Sequence, residues 1–242
     1  MALESEATLI TGCSTGIGRA TAIRLAEAGR TVYATARNIS AIADLADYGC
    51  ELLALDVTDE ESMVAAVDAV VDRHGAVGAL VNNAGYSQSG AIEDLPMESI
   101  RRQFETNVFG LIRMSQLVLP GMREQRAGRI VNIGSMGGKL SFPGGGIYHA
   151  TKYAVEAISD VLRFEVSNFG VKVVLVEPGL IKTNFADAAL SHMDTPSQTD
   201  GAYDDFNAAV AKNTAAVYEN PLYARLGGGP DDVAKVIEKA IM

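Results

Sequence analysis

The sequence contains no tryptophan and only two cysteines, Cys13 and Cys50, among its 242 residues. Two cysteines are too few for the disulfide framework that supports small secreted domains, so we expect a reducing compartment and a cytoplasmic protein. The cysteines, histidines and acidic residues do not cluster at spacings typical of metal ligands, and we therefore expect no metal site.

Basic residues are scarce relative to acidic ones. Twenty Lys and Arg stand against 30 Asp and Glu, which gives a formal net charge of -10 at pH 7. Nucleic acids and anionic membranes attract basic surfaces, so we expect neither as a partner. Long apolar runs of the roughly 20 residues that span a bilayer are also missing. Glu4 and Glu6 stand where a signal peptide would carry basic residues.

Short apolar runs alternate with longer helical patterns along the chain. The runs predict six strands, and the patterns between and after them predict helices that include 39–48, 63–72 and 148–169. Thr58-Asp-Glu-Glu61 is typical of a capping box before the second of these. This alternation predicts a doubly wound parallel sheet in a three-layer, Rossmann-like α/β domain that spans residues 1–242. The strands are expected at 7–11, 31–36, 52–55, 77–81, 130–133 and 171–176.

A glycine-rich loop joins the first predicted strand to the first helix. Thr11-Gly-Cys-Ser-Thr-Gly-Ile-Gly18 has the spacing G-x-x-x-G-x-G, which differs from the common dinucleotide motif G-x-G-x-x-G. Glycine lets the backbone approach a pyrophosphate, and the N-terminus of a helix offers free N–H groups. A strand before and a helix after the loop favour this interpretation over an ordinary turn. Other polar and loop residues also follow strands, at the edge of the sheet where ligands bind: Asp56, Asn82, Ser135 and Pro178.

Tyr148 and Lys152 are four residues apart and therefore lie on one face of a predicted helix. A free tyrosine has a pKa of about 10, and a nearby ammonium favours the phenolate and lowers that value. The pair could thus transfer a proton to or from a substrate oxygen, which the hydroxyl of Ser135 could hold. A surface helix that contains the same two residues by chance is the alternative.

These motifs, in this order, resemble the short-chain dehydrogenase/reductase superfamily in its ordinary branch. The resemblance covers residues 7–240 and also includes Asn82-Asn-Ala-Gly85 and Asn107. The segments around Arg37 and from Ser135 to Lys152 are most similar to hydroxysteroid- and retinol-dehydrogenase-like members. Family members usually continue with a further strand, so we expect a short member or part of a longer protein.

The resemblance implies four catalytic residues. Tyr148 would be the general acid in carbonyl reduction and the base in alcohol oxidation. Lys152 would lower the pKa of Tyr148 and bind the nicotinamide ribose, and Ser135 would bind the substrate oxygen. Asn107 would anchor a proton-relay water.

The resemblance also implies a set of cofactor-binding residues along the edge of the sheet. Asn82 would both line the cofactor and join neighbouring strands. Asp56 and Val57 would contact the adenine. The complete set comprises Gly12, Ser14, Thr15, Gly16, Ile17, Gly18, Arg37, Asp56, Val57, Asn83, Ala84, Gly85, Tyr148, Lys152, Pro178, Gly179, Ile181 and Thr183.

Charge after the second strand predicts the choice of cofactor. An acid at that place accepts the ribose hydroxyls of NAD, whereas an arginine accommodates the extra phosphate of NADP. Here Ala36 stands where the acid would be and Arg37 follows, so we expect NADP(H). Arg19 could add positive charge or could be an ordinary solvated helix residue.

Residues 180–230 are predicted to form an insertion that acts as a lid over the site, with an ordinary surface excursion as the alternative. The segment supplies apolar residues such as Phe206, so we expect a mostly apolar small-molecule substrate. His192 could line the substrate pocket or be solvated, and His149 is interpreted as structural or interfacial.

The expected function is an NADP(H)-dependent oxidoreductase that interconverts a carbonyl and a secondary alcohol. A cofactor-binding sensor or scaffold without turnover, and an isomerase or dehydratase on the same fold, are the alternatives. The resemblance further implies a homodimer or homotetramer.

Overall fold

The computed structural model describes residues 5–181, 198–219 and 228–242. The strands are β1 Thr8–Ile10, β2 Val32–Ala36, β3 Glu51–Ala54, β4 Ala79–Asn82, β5 Gly128–Ile133 and β6 Val171–Val176. They form one sheet in the order β3-β2-β1-β4-β5-β6, and every neighbouring pair is parallel. The predicted doubly wound parallel sheet is therefore confirmed.

Helices connect the strands and cover the sheet. A π-helical turn lies at Glu105–Phe109, and a 3-10 helix at Ile39–Tyr48 leads to β3. The described α-helices are α1 Gly16–Glu27, α2 Glu60–His74, α3 Met97–Phe104, α4 Gly110–Glu124, α5 Gly146–Val166, α6 Asp204–Glu219 and α7 Pro230–Ile241.

The core is divided by the sheet into two apolar layers. Leu9 and Leu80 pack on one face with residues of α2, α4 and α5. Their neighbours in sequence, Ile10 and Val81, pack on the other face with residues of α1 and α7. Successive strand side chains point to opposite faces, so both faces need an apolar cover. The three-layer α/β/α arrangement follows from this alternation.

The chain reverses its winding direction between β1 and β4, which lie side by side in the middle of the sheet. In a doubly wound fold the loops that follow such a pair of strands separate and leave a crevice at their carboxyl ends. The glycine loop after β1 and Asn83-Ala84-Gly85 after β4 face each other there. This edge of the sheet therefore carries the candidate site.

The predicted capping box at 58–61 is wrong in its capping residue. Asp59 is the N-cap of α2, and its carboxylate accepts hydrogen bonds from the N–H groups of Glu61 and Ser62. The hydroxyl of Thr58 instead donates to Asp56 Oδ1 at 2.7 Å. Because that bond engages the Thr58 hydroxyl with Asp56, two residues after β3, the next residue takes the capping position.

Two predicted helices differ from the structure in type or length. The segment Ile39–Tyr48 is a 3-10 helix. Its buried residues Ile42 and Leu45 are three apart, the spacing that puts side chains on one face of a 3-10 helix. The helix predicted at 148–169 ends at Val166, followed by a short 3-10 turn and Gly170 in a left-handed conformation.

The predicted lid, 180–230, falls partly outside the described residues. Thr183 and His192 also lie outside the described residues. The described part, 198–219, contains α6 and is attached to the body of the protein through Asp94, which accepts hydrogen bonds from Thr199 Oγ1 and Asn207 Nδ2. Among the helices of the described ranges, none is long and apolar enough to cross a membrane.

Candidate active site

The glycine loop is shaped by close contact with the loop after β4. Gly12 has a φ of +73°, and a Cβ added to it would lie 3.0 Å from the Cα of Ala84. A Cβ on Gly18 would lie 2.4 Å from both Asn83 Nδ2 and the Gly12 carbonyl oxygen. Any side chain at these positions would separate the two loops. Gly18 thus packs the start of α1 against Asn83 instead of lining the cavity.

Hydrogen bonds join the same two loops. Asn83 Nδ2 donates to the carbonyl oxygens of Thr11 and Gly12, both at 2.9 Å. In return, the buried hydroxyl of Thr11 accepts from the N–H groups of Asn83 and Ala84, both at 3.0 Å. These reciprocal bonds satisfy the backbone at the ends of β1 and β4 and fix the width of the crevice.

The N-terminus of α1 opens towards the crevice. Thr15 is its N-cap, with extended backbone and without a side-chain capping bond, and Ser14 and Thr15 are exposed. The first N–H groups of the helix therefore keep their hydrogen-bonding capacity and add the positive end of the helix dipole. Such a terminus is suited to bind a phosphate group.

Lys152 is almost completely buried, with 8% of its surface exposed. Its Nζ donates a 2.8 Å hydrogen bond to the carbonyl oxygen of Ile133 and lies 5.8 Å from the centre of the Tyr148 ring. Burial lowers the pKa of Lys152 to about 8, and the nearby Glu156 carboxylate opposes that decrease. The lysine and the tyrosine that share one face of α5 thus meet at the end of β5.

Ser135 lies where β5 leaves the sheet. Its Oγ accepts a 3.0 Å hydrogen bond from the Gly137 N–H and caps a short 3-10 turn, Met136–Gly138. The Met136 N–H donates to the Pro178 carbonyl oxygen at 2.9 Å. This bond ties the loop that carries Ser135 to the segment after β6.

Asn107 lies in the π-helical turn and is buried. Its Nδ2 donates to the Tyr86 carbonyl oxygen at 2.9 Å and to Thr151 Oγ1 at 3.1 Å, and its Oδ1 accepts from the Tyr86 N–H at 3.0 Å. The extra residue of a π-turn rotates the helix locally, and such turns are frequent at functional sites. Asn107 thus joins the loop after β4 to the helix that carries Tyr148, without lining the cavity itself.

His149 holds the loop that precedes α5. Its Nε2 accepts a 3.0 Å hydrogen bond from the Phe142 N–H, and its Nδ1 lies 3.0 Å from the Gly137 carbonyl oxygen. An acceptor at Nε2 and a donor at Nδ1 describe the neutral imidazole with its proton on Nδ1. Although His149 contributes to the cavity wall, both ring nitrogens bind the backbone, in agreement with its interpretation as a structural residue.

The two arginines near the second strand differ in their surroundings. Arg37 follows β2, is exposed and lines the cavity together with Ala36. Arg19, on α1, forms an ion pair with Asp44. Asp56 lines the same end of the cavity, and its Oδ1 accepts hydrogen bonds from the N–H and hydroxyl of Thr58.

One cavity of about 690 Å³ runs along the carboxyl ends of the strands and receives most of the predicted site residues. Gly18, Asn82 and Asn107 do not line it, and Thr183 lies outside the described residues. The predicted residues that line it are Gly12, Ser14, Thr15, Gly16, Ile17, Arg37, Asp56, Val57, Asn83, Ala84, Gly85, Ser135, Tyr148, Lys152, Pro178, Gly179 and Ile181.

The cavity also has lining residues that the sequence analysis did not identify. Tyr86 and Gln88 lie within three residues after the Asn-Asn-Ala-Gly motif, so their place in the cavity wall could have been predicted from their closeness to it. Arg102 lies on α3 and Phe142 lies in the loop before α5. Neither belongs to a motif, because both reach the cavity only through the packing of helices and loops.

These features fit a nicotinamide dinucleotide. The uncapped start of α1 and the close glycine contacts leave room for a pyrophosphate at one point of the crevice. Arg37 and Asp56 lie towards one end, and Tyr148 and Lys152 lie towards the other. A cavity of this volume is in the range of small-molecule and cofactor sites.

Comparison with known families agrees with this geometry. The family model described as short chain dehydrogenase matches residues 6–194. The chain belongs to this family. As a short-chain dehydrogenase it is an oxidoreductase, and its family binds a nicotinamide cofactor and acts on small molecules. The narrower resemblance to hydroxysteroid and retinol dehydrogenases stays a prediction.

Relatives of this short-chain dehydrogenase are found in several bacteria. It is 40% identical to a 3-ketodihydrosphingosine reductase of Bacteroides thetaiotaomicron over 189 residues, which are 76% of this chain and 67% of the relative. It is 36% identical to an uncharacterized oxidoreductase of Bacillus subtilis over 244 residues, 97% of this chain and 84% of the relative.

Solved structures of similar proteins share the fold. A short-chain dehydrogenase from Streptomyces avermitilis superimposes with a TM-score of 0.80 at 39% identity, and the match covers 97% of this chain and 82% of that one. ElxO with NADP bound has a TM-score of 0.79 at 27% identity, with 98% and 92% covered. A protein from Burkholderia phymatum in complex with NAD has a TM-score of 0.83 at 28% identity, with 100% and 87% covered. Similar folds thus bind either cofactor.

Proposed function

We propose that this short-chain dehydrogenase uses NADP(H) to interconvert a carbonyl and a secondary alcohol on a mostly apolar small molecule. The observation that carries the proposal is the meeting of Tyr148, Lys152 and Ser135 in one cavity with the open N-terminus of α1. A phosphate-binding helix end and a proton-transfer group in the same crevice suit a dinucleotide and a reacting oxygen together.

Each residue would have a distinct chemical task. When bound, the nicotinamide supplies or accepts the hydride. In reduction, the Tyr148 hydroxyl donates its proton to the substrate oxygen, and the ammonium of Lys152 stabilises the phenolate that remains. The hydroxyl of Ser135 accepts from Gly137 and can donate its own proton in a hydrogen bond to the same substrate oxygen, which positions it.

Asn107 would support a proton relay from behind the cavity. Both N–H bonds of its amide are used by Tyr86 and Thr151, while Oδ1 accepts one bond from the Tyr86 N–H. An amide oxygen has two lone pairs, so Oδ1 can accept a second bond from a relay water. We propose this position for the water that returns a proton to Tyr148.

The preference for NADP(H) rests on Arg37. This residue lines the cavity after β2, beside the small and buried Ala36. A planar guanidinium can bind a phosphate through two parallel hydrogen bonds, and there is no carboxylate at position 36 to repel that phosphate. Arg19 would contribute less because Asp44 engages it.

The apolar character of the substrate is supported by a second cavity next to the first. Ile92, Phe142, Pro143, Tyr203 and Phe206 line it, and Phe142 belongs to the walls of both cavities. Ile92 is 62% exposed and Phe142 is 50% exposed. A substrate whose carbonyl lies at Tyr148 could therefore place an apolar tail on these side chains and remove them from water.

We also propose that the protein is a homodimer or homotetramer. Tyr153, Val161 and Phe164 follow one another at helical spacing on the outer face of α5, and Phe164 is 79% exposed. Exposed apolar stripes of this kind are typical of protein–protein contacts. Light scattering on the purified protein tests the proposal, and a monomer at micromolar concentration would contradict it.

The function is tested by following NADPH absorbance with a panel of ketones, aldehydes and quinones. We expect oxidation of NADPH with at least one apolar carbonyl compound, and slower turnover with NADH at equal concentration. Tight NADPH binding without any absorbance change would instead favour a cofactor-binding protein without turnover. Substrate conversion without net change in NADPH would favour an isomerase or dehydratase.

A further inference from the structure

Glu156 is a buried acid directly behind the site. It lies on α5, one turn after Lys152, and only 7% of its surface is exposed. Tyr148, Lys152 and Glu156 therefore form a stripe with a spacing of four residues on one helix face. A buried carboxylate destabilises a fold unless it is paired and hydrogen-bonded, so its presence in this stripe requires an explanation.

The partners of Glu156 satisfy it only in part. Its Oε2 lies 2.5 Å from Lys139 Nζ, and Lys139 Nζ is also 3.7 Å from Glu177 Oε1. Its Oε1 is buried without a hydrogen-bond partner. The pKa of Glu156 is raised, chiefly by burial and also by the charge of Glu177, while the bond from Lys139 opposes the increase. A fold selected for stability alone would be better served by an uncharged side chain here.

The carboxylate also touches the loop that carries Ser135. A Cβ on Gly138 would lie 2.7 Å from Glu156 Oε1, and a Cβ on Gly134 would lie 3.3 Å from the same oxygen. Gly134 precedes Ser135 directly and Gly138 follows it by three residues, and a side chain at either position would crowd the acid. The loop therefore packs directly on the side chain of Glu156.

We propose that Glu156 is a positioning residue of the reaction, whose buried carboxylate keeps Lys152 charged and supports the Ser135 loop. The proposal rests on the proposed function of Lys152 as the cation beside Tyr148. Glu156 acts through Lys152 and Ser135 and does not touch the substrate. The other charged groups near it are Lys139, Glu177 and Asp160, whose charge also acts on Lys139. All three are exposed, so Glu156 is the buried acid among them, and its charge raises the pKa of Lys152.

The test compares Glu156→Gln with Glu165→Gln, an exposed position on the same helix. Without the carboxylate, the pKa of Lys152 should fall further below its present value of about 8. For a decrease of about one unit, the charged fraction at pH 8 falls from about one half to about one tenth, and at pH 6 it hardly changes. We therefore expect carbonyl reduction at saturating NADPH to fall about fivefold at pH 8 and little at pH 6. Glu165→Gln should follow the wild-type profile.

A second readout does not depend on turnover. Lys152 is also proposed to bind the ribose, so NADPH affinity, measured by fluorescence titration, should weaken at a pH about one unit lower in Glu156→Gln than in the wild type. Glu156→Asp, which keeps the charge, should restore most of both pH profiles.

Three results would overturn the inference. The first is a Glu156→Gln profile that coincides with the wild type in both activity and affinity. The second is an equal loss at every pH together with a lower melting temperature, which describes a purely structural residue. The third is a variant that does not fold. Failure of the proposed function is distinguishable, because it appears as an inactive wild type or an active Tyr148→Phe.

Discussion

The Nζ of Lys152 lies 2.8 Å from the carbonyl oxygen of Ile133, the last residue of β5. This bond anchors the ammonium at the point where the sheet ends and the Ser135 loop begins. It also lets a lysine remain buried, since one of its three donors is satisfied by the protein. The lysine is thus held in a place where its charge is costly for stability and useful for the chemistry of Tyr148.

Replacement of Lys152 by Met should stabilise the protein while it abolishes activity. The pKa of Lys152 is lowered from 10.5 to about 8, so between these values the unfolded chain binds more protons and the free energy of unfolding rises with pH. Below pH 8 the full cost of the buried charge is present, at most about 3.5 kcal/mol. We expect the free energy of unfolding of Lys152→Met, measured by urea denaturation at pH 7, to be about 1–3 kcal/mol higher than that of the wild type.

The matched control is Lys172→Met on β6, an exposed lysine, which should change the free energy of unfolding by less than about 0.5 kcal/mol. If Lys152→Met instead lowered the free energy of unfolding by more than about 1 kcal/mol, the cost of the buried charge would not be the dominant effect of Lys152 on stability. NADPH affinity should also fall in Lys152→Met, because the same ammonium is proposed to bind the ribose.

Tyr148→Phe removes only the hydroxyl that is proposed to transfer the proton. Loss of a general acid typically lowers the rate by about 10²- to 10⁴-fold, and we expect a decrease in this range for carbonyl reduction. NADPH affinity should stay within about threefold, because a single hydrogen bond has a modest net value. Tyr153→Phe, at an exposed tyrosine on the same helix, is the control. Substantial activity in Tyr148→Phe would refute the assigned acid.

Arg37→Ala should penalise NADPH selectively. Hydrogen bonds to a charged group contribute about 1.5–3 kcal/mol, which corresponds to a decrease of roughly 10- to 100-fold in kcat/KM with NADPH. We expect kcat/KM with NADH to change little. Arg19→Ala is the control, since that arginine is engaged by Asp44. A wild-type enzyme that prefers NADH would contradict the cofactor assignment.

Asp94→Asn should loosen the segment 198–219 and leave the cofactor site intact. The buried carboxylate of Asp94 accepts hydrogen bonds from the Gln198 N–H at 2.9 Å, Thr199 Oγ1 at 2.7 Å and Asn207 Nδ2 at 3.0 Å. In asparagine an NH₂ group replaces one of the carboxylate oxygens, so a donor then faces a donor of the segment. The loss of such a hydrogen bond costs about 1–3 kcal/mol. We expect a higher KM for the carbonyl substrate, faster hydrogen exchange in α6 and unchanged NADPH affinity.

The control for this experiment is Asp72→Asn, at an exposed position on α2, which should leave all three quantities unchanged. An unchanged KM in Asp94→Asn, despite faster hydrogen exchange in α6, would mean that α6 does not contribute to substrate binding. Weaker NADPH binding would mean that the segment also supports the cofactor site.

Much of the fold was predictable because strand and helix periods are local. β6, at Val171–Val176, has the predicted bounds, and the other strands differ by one or two residues at their ends. The predicted helix cap is wrong because a side chain near it has two possible hydrogen-bond partners. Thr58 bonds to Asp56 and leaves the cap of α2 to Asp59, and no periodicity distinguishes these two arrangements.

The contacts that the sequence analysis missed join residues far apart in the chain. Asp94 binds Asn207 across 113 positions, and Asn107 binds Thr151 across 44. Arg102 reaches the cavity from α3 through helix packing alone. Such pairs leave no repeating pattern in a single sequence, because their distance depends on every element that lies between them.

The sequence by itself determined the alternation of strands and helices, the glycines that allow close backbone approach, and the helical spacing of Tyr148 and Lys152. These features depend on local sterics and on which residues stand three or four positions apart. Only the tertiary structure decided that Lys152 and Glu156 are buried, that α1 opens onto the cavity, and that the Ser135 loop is tied to Pro178. Burial and desolvation depend on what distant elements pack against a residue, so the electrostatics of this site arises only when the sheet and its helices are assembled.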